Sequence, residues 1–188
     1  MRPEAPFYVG TTRPSSVGWT RIALTLVAGV VAVVLVAGQL PMPVAVAAGA
    51  VFALLALWTW MGQWTRFIVD GHGVTVSLGG FLPRAPWPLA DFRTVQLREV
   101  PSSSVGVTVG GFGWRRGRAM AATPEQVRPV GKLKVYTLGE VQARYRLLVT
   151  RSGTQVEIIS REGEHYLLSP VDVEATAAAI EQAIRARR

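Results

Sequence analysis

Residues Ile22–Met61 read IALTLVAGVVAVVLVAGQLPMPVAVAAGAVFALLALWTWM, and no Asp, Glu, Lys, Arg or His occurs between Arg21 and Arg66. A hydrocarbon core about 30 Å thick takes roughly 20 apolar residues of helix to cross. This stretch holds enough for two crossings. Pro41 and Pro43 would each cost a helix interior a backbone bond, so they mark the turn between a first span at Ile22–Leu40 and a second at Val44–Met61. Helices that are apolar all round need lipid or a large core, and 188 residues cannot supply such a core. The stretch is therefore expected to be a transmembrane hairpin at 22–61, after a polar tail at 1–21 and before a domain at 62–188.

The flanks of the hairpin set its expected orientation. Trp19 and Arg21 precede the first span, while Trp58, Trp60, Trp64 and Arg66 close the second. Aromatic residues with nearby cations mark membrane–water boundaries, and cations favour the cytoplasmic side. Both termini are accordingly expected in the cytoplasm, the protein being multi-pass in the cell (inner) membrane. A signal peptide is the rival reading of the first span, but cleavage would still leave the second as a membrane helix. Gly29, Ala32, Gly38, Ala45, Ala48 and Gly49 are small enough for close helix contact. Neither span carries an ionisable side chain, so a proton relay or ion path has no chemistry to run on.

The rest of the composition narrows function. With 49% hydrophobic and 17% charged residues, the chain departs from soluble averages toward membrane proteins. The absence of Cys excludes disulfides, thiolate metal sites and cysteine nucleophiles. The net charge of +8 divides into +2 before the hairpin and +6 after it. The basic residues are scattered through the chain and form no dense stripe, so nucleic acid is not an expected partner.

After Gly62 the apolar period becomes two. Arg66–Asp70 and Val74–Leu78 read as strands joined through the turn signal Asp70-Gly71-His72-Gly73. A short strand is expected near Trp87–Ala90, and in the next strand Val95 and Leu97 alternate with Gln96 and Arg98. The tail 1–21 is expected to be irregular because of Pro3, Pro6 and Pro14. Pro101–Ala143 reads mainly as loop with a possible strand at Lys132–Thr137, and 117–143 as an irregular insertion. Tyr145–Thr150, Thr154–Ser160 and Glu164–Leu168, joined by short Gly-containing segments, read as a meander. Ser169-Pro170-Val171-Asp172 reads as a helix start, with Ser169 as cap and Val173, Ala177, Ile180 and Ile184 on one face.

Six or seven strands and one terminal helix make an α+β order. The runs LGGFLPRAPWPLADFRTV, GGFGWRR and ARYRLLVTRSGTQVEIISREGEHYLLSPVDVEATAAAIEQAI resemble the bacterial pleckstrin-homology-like (PH-like) membrane proteins, of the small actinobacterial type with an N-terminal two-helix anchor. Leu82-Pro83-Arg84, Pro88-Leu89-Ala90-Asp91 and Gly111-Phe112-Gly113-Trp114-Arg115 match the recurring motifs of that family. The likeness covers most of 64–116 and 144–185 and departs in 117–143. It implies a PH-like bent antiparallel β-barrel capped by the C-terminal helix.

Candidate chemistry is sparse. Gly110–Gly117 contains a glycine-rich run, but its third Gly falls one place late for a dinucleotide loop. His72 and His165 are the only histidines, and no carboxylate is spaced with them as a zinc ligand set. Asp70, Asp91, Glu99, Glu157, Glu162 and Glu164 read as surface charge at turns or on polar strand faces. No enzyme, cofactor or metal is expected. Arg115, Arg116 and Arg118 on a loop are candidates for lipid or partner contact, since each cation near an anionic surface is worth about 1 kcal/mol. The expected role is an accessory or scaffold protein that docks membrane partners through the hairpin and cytoplasmic domain. The alternative is an anionic-lipid-responsive module using the Arg115–Arg118 loop. Expected partners are membrane lipids and other membrane proteins, and a homo-oligomer is compatible.

Overall fold

The structure, a computed structural model, describes residues 5–137 and 139–187. It opens with a strand, β1 (Tyr8–Thr12), where an irregular tail was expected. Tyr8, Val9, Thr11 and Thr12 are strand formers, and Gly10 lets the Phe67 ring lie against the backbone: a Cβ there would stand 2.2 Å from that ring. Pro3 of the expected tail lies outside the described residues.

Two long apolar helices follow, α1 (Ser16–Ala37) and α2 (Met42–Met61). Ser15 caps α1 by accepting from the Gly18 N–H, so the helix begins well before Ile22 and includes Trp19 and Arg21. The turn spans Gly38–Pro41, with Pro43 in the first turn of α2, where its missing N–H costs nothing. The helices pack on each other through Gly29, where a Cβ would lie 2.7 Å from the Phe52 Cβ. Only 11% and 17% of their respective apolar windows are buried.

The next strands form a five-stranded sheet with β1: β2 (Thr65–Asp70), β3 (Gly73–Leu78), β4 (Leu82–Pro83) and β5 (Trp87–Pro88). β1 pairs with β2 from Tyr8↔Val69 to Thr12↔Thr65, and β2 pairs with β3. The start of α1 and the end of α2 therefore spring from one end of this sheet. Thr12 fastens that junction, its hydroxyl 2.7 Å from the Gln63 carbonyl and 2.9 Å from the Thr65 hydroxyl. At the opposite end, Asp70 Oδ1 accepts the N–H groups of His72 and Gly73 and closes the β2–β3 turn. Gly73 has φ +137°, and any Cβ there would strike the Trp87 carbonyl at 1.9 Å.

A short 3-10 turn at Leu89–Asp91 carries the chain into β6 (Phe92–Val100) and a second sheet. Its other members follow the short helix α3 (Val105–Thr108): β7 (Gly113–Met120), β8 (Val127–Pro129), β9 (Gln142–Val149), β10 (Gly153–Ser160) and β11 (His165–Leu168). The spatial order is β7-β9-β11-β10-β6-β8. The last three strands are not a meander. β11 inserts between β9 and β10, antiparallel to β10 and parallel to β9. The short 150–152 connection joins β9 and β10 beyond the end of β11, which leaves the slot that β11 fills.

The expected closed barrel is not formed; among the described residues the strands make two separate sheets. These pack about one core of Phe67, Val76, Trp87, Val95, Leu148, Ile158 and Tyr166. The helix α4 (Val173–Ala186) packs against β6 and β10 of one sheet and β1 and β2 of the other, burying Ala177, Ile180 and Ile184. Asp172, not Ser169, caps α4, accepting from the Ala175 N–H at 2.9 Å. Ser169 still belongs to the sheet, its N–H donating to the Leu148 carbonyl.

Part of the expected insertion at 117–143 is regular: it holds the rest of β7, a capped 3-10 turn at Pro124–Gln126 and β8. Lys132–Thr137 forms no strand. The place beside β6 belongs to β8, and the Gln96 side chain takes up the Tyr136 N–H and carbonyl at 2.8 and 2.9 Å.

Candidate functional site

On the second sheet, Gln96 and Arg98 of β6 stand beside Glu157 of β10 and Tyr145 of β9. All four are fully buried, where the alternation of β6 had suggested a polar outward face. Glu157 receives Arg98 Nη1 at 2.9 Å, Gln96 Nε2 at 2.7 Å and the Tyr145 hydroxyl at 2.8 Å. Arg98 Nη2 donates to the Met120 carbonyl at 2.8 Å. Burial, with the neighbouring carboxylate, pushes the Tyr145 phenol far above its ordinary range, so it is a neutral donor. A charge pair out of water is costly unless its lone pairs and protons find partners. Glu157 takes three donors and Arg98 places both terminal nitrogens, while the Arg98 Nε–H is left without a partner among the described residues. The cluster is held closed by its own partners, which fits a structural role.

His165 lies at the edge of this cluster, its ring 5.4 Å from that of Tyr145. Its Nδ1 accepts the Ser160 N–H at 3.0 Å, and burial lowers its pKa below the usual histidine value. A cleft of about 450 Å³ opens beside it, with Arg144, Arg161, Glu140 and Glu162 in its walls. Among the described residues, no group of three or more His, Asp or Glu is placed to hold a metal ion.

The three arginines proposed as a loop cluster sit on strand β7 and point to two faces. Arg115 folds back, donating from Nη1 to the Gly110 carbonyl at 2.8 Å, and burial lowers its pKa. It is occupied by its own loop. Arg116 and Arg118 lie on the other face, directly opposite Arg146 and Arg144 of β9. This ladder of four guanidinium groups continues the Trp114–Leu148 pair, where Trp114 stacks 5.9 Å from Trp87. Like charges directly opposite on neighbouring strands repel. Glu164 relieves one rung, 3.1 Å from Arg116 Nε and 2.8 Å from Arg146 Nε. Arg118 and Arg144 are exposed, and no carboxylate stands within ion-pair distance of either among the described residues. The cross-strand ladder depends on register, which no linear motif encodes; Arg144 and Arg146 were therefore missed.

The residues expected to anchor the hairpin gather at one end of it. Trp19 and Arg21 are exposed near the start of α1, Trp58 is exposed on the last turns of α2, and exposed Trp64 and Arg66 follow. Trp60 is half-buried and stacks 4.9 Å from Trp64. Gly18 is buried against Gln63, which fixes the two helix ends side by side. The far turn, Gly38–Pro41, carries no charge. Comparison of the chain with protein-family models, curated proteins and solved structures gives no match.

Proposed function

We propose that this is a non-enzymatic membrane-anchored accessory or scaffold protein. The α1–α2 hairpin crosses the bilayer twice and docks beside other membrane helices, and the two-sheet domain holds a partner on the cytoplasmic side. The observation that carries this reading is the outward face of the hairpin: Leu24, Val30, Val34, Val46, Leu54 and Leu57 are all exposed, and most of each apolar helix window is unburied. Burying such surface is worth about 25 cal/mol per Å², so water is not its stable environment. Arg21 and Arg66 at one end and an uncharged turn at the other support the cytoplasmic placement of that end. The α+β order, with a C-terminal helix across two packed sheets, agrees with the coarse layout that the PH-like resemblance implies, and that analogy bears on fold rather than on function.

The test is native purification of the full-length protein from mild-detergent membranes with mass determination of the intact species. A stoichiometric assembly with other membrane subunits is expected. A bare monomer carrying anionic lipid overturns the scaffold reading.

That second outcome has its own support in the ladder. Arg118 and Arg144 present two exposed guanidinium groups across one strand pair, neither of them in an ion pair among the described residues, and guanidinium groups suit phosphate oxygens. On this reading, anionic lipid co-purifies, falls away with rising ionic strength and is lost in an Arg118→Gln/Arg144→Gln variant.

A further inference from the structure

The β3–β4 turn exposes an apolar run that packing leaves unexplained. Phe81, Leu82 and Pro83 are consecutive and all exposed, Phe81 at 67%. A short polar turn would connect β3 to β4 equally well, and an isolated exposed apolar residue would need no explanation. Three in succession are exposed here, Phe81 shares a notch with exposed Trp64, and Arg84 just beyond the run lies over exposed Trp58.

Its position is fixed by the backbone. The Gly79 N–H lies 3.1 Å from the Met61 carbonyl and 2.9 Å from that of Trp64, so the turn is fastened to the last residues of α2. Gly79 and Gly80 adopt φ +61° and +81°, which bends the chain sharply there and carries Phe81 outward. The Phe81 ring lies within 2.8 Å, and the Met61 side chain within 3.0 Å, of the place a Gly79 Cβ would occupy. Trp64, Phe81 and Arg66 border an open notch of about 320 Å³. Arg84, just past the run, sets its guanidinium over the Trp58 ring, 5.7 Å from the centroid.

We propose that the Gly79–Pro83 turn is a third membrane contact, which seats Phe81 and Leu82 in the lipid interface beside Trp58 and Trp64. Arg66 and Arg84 then reach phosphate oxygens of the adjoining headgroups. The inference rests on the hairpin being in the bilayer, because the turn is bonded to the end of α2. Aromatic and aliphatic side chains flanked by cations suit this boundary, where one end of each group is apolar and the other wet. The two helices enter the domain side by side through residues 13–15 and 62–64, so both of their links lie at one point of its surface. A third contact off the hairpin axis fixes the face the domain turns to the membrane.

The natural absence of Cys makes single-site labelling clean. Full-length protein carrying Phe81→Cys, Leu82→Cys, Leu54→Cys or His72→Cys is modified with an environment-sensitive fluorophore. It is then reconstituted into phosphatidylcholine–phosphatidylglycerol vesicles containing shallow or deep lipid quenchers. Leu54 lies on the outer face of α2, and His72 at the far end of the β2–β3 hairpin, roughly 20 Å from Thr65 at strand rise. Labels at 81 and 82 are expected to be quenched mainly by the shallow quencher, the label at 54 by the deep one, and that at 72 by neither. Because the label at 81 replaces the side chain under test, the Leu82→Cys protein is repeated with Phe81→Asp, which should lose most of the shallow quenching. Labels at 81 and 82 that behave like 72 while 54 is quenched overturn the third contact and leave the hairpin standing. An unquenched label at 54 overturns the hairpin in the bilayer, and the third contact with it.

Discussion

Glu157 shows what a single position decides. It lies on a strand whose neighbours Val156 and Ile158 face the main core, and alternation alone puts it on the outer face. That face is covered as well: Val105, Val109 and Phe112 pack over the sheet near Tyr145, and the Tyr136 and Met120 backbones reach Gln96 and Arg98. Polarity therefore marked the correct face of the strand but not its burial, because the cover comes from distant loops. Replacing Glu157 with Leu leaves Arg98 buried without its counter-charge and is expected to cost about 3–5 kcal/mol. Tyr145→Phe removes one of three donors to a buried carboxylate and should cost about 1.5–3 kcal/mol. Chemical denaturation of the detergent-solubilised protein checks both. His165 adds a pH dependence. Its neutral Nδ1 accepts the Ser160 N–H, and its folded pKa is lowered, so the unfolded chain binds a proton more readily. Stability is then complete above the unfolded histidine value of about 6.5 and declines as pH falls through it toward the folded value. Thermal midpoints between pH 7 and 5 should show this slope in the native protein and a flatter one in His165→Gln.

At the scale of elements, strongly periodic segments were legible. Arg66–Asp70, Val74–Leu78 and the apolar face of α4 are where their spacing put them. The start of α4 was not, because Ser169-Pro170 has the composition of a cap while its backbone is still engaged with β9. Asp172→Ala is expected to cost about 1 kcal/mol through loss of the cap, whereas Ser169→Ala leaves helix stability unchanged. Paired denaturation curves distinguish the two. Strand order was also beyond reach: the short, Gly-containing links at 151–153 and 161–163 fit a meander, yet β11 lies beside β9 and makes one pair parallel. Local turn chemistry fixes how a chain reverses, and only side-chain packing selects which strand fills the gap. The same limit hid the arginine ladder, which exists only because β7 and β9 are in register. Within the hairpin, Gly29→Val would press on the Phe52 side chain. Overpacking of this kind costs about 1–3 kcal/mol and should lower the thermal midpoint in detergent, with the two-sheet domain retaining its own transition.

For the whole molecule, the two apolar helices and the α+β order that follows were readable from hydropathy and period, because both depend on local sequence. Closure of a barrel was not, since it depends on whether edge strands meet across the molecule. Here β1 ends one sheet and β7 and β8 end the other. The pairing of β1 with β2 has a consequence for anchoring: it ties the segment before α1 to the segment after α2, so both helix ends must stay on one side of any membrane they cross. That requirement is tested most directly by single cysteines at Ser103 in the domain and Gln39 in the hairpin turn, both exposed. Each is probed with a membrane-impermeant maleimide in inverted inner-membrane vesicles. The expected result is modification of Ser103→Cys at once and of Gln39→Cys only after detergent is added. Modification of both before detergent would contradict a hairpin that spans the bilayer, and modification of Gln39→Cys alone would contradict a cytoplasmic domain.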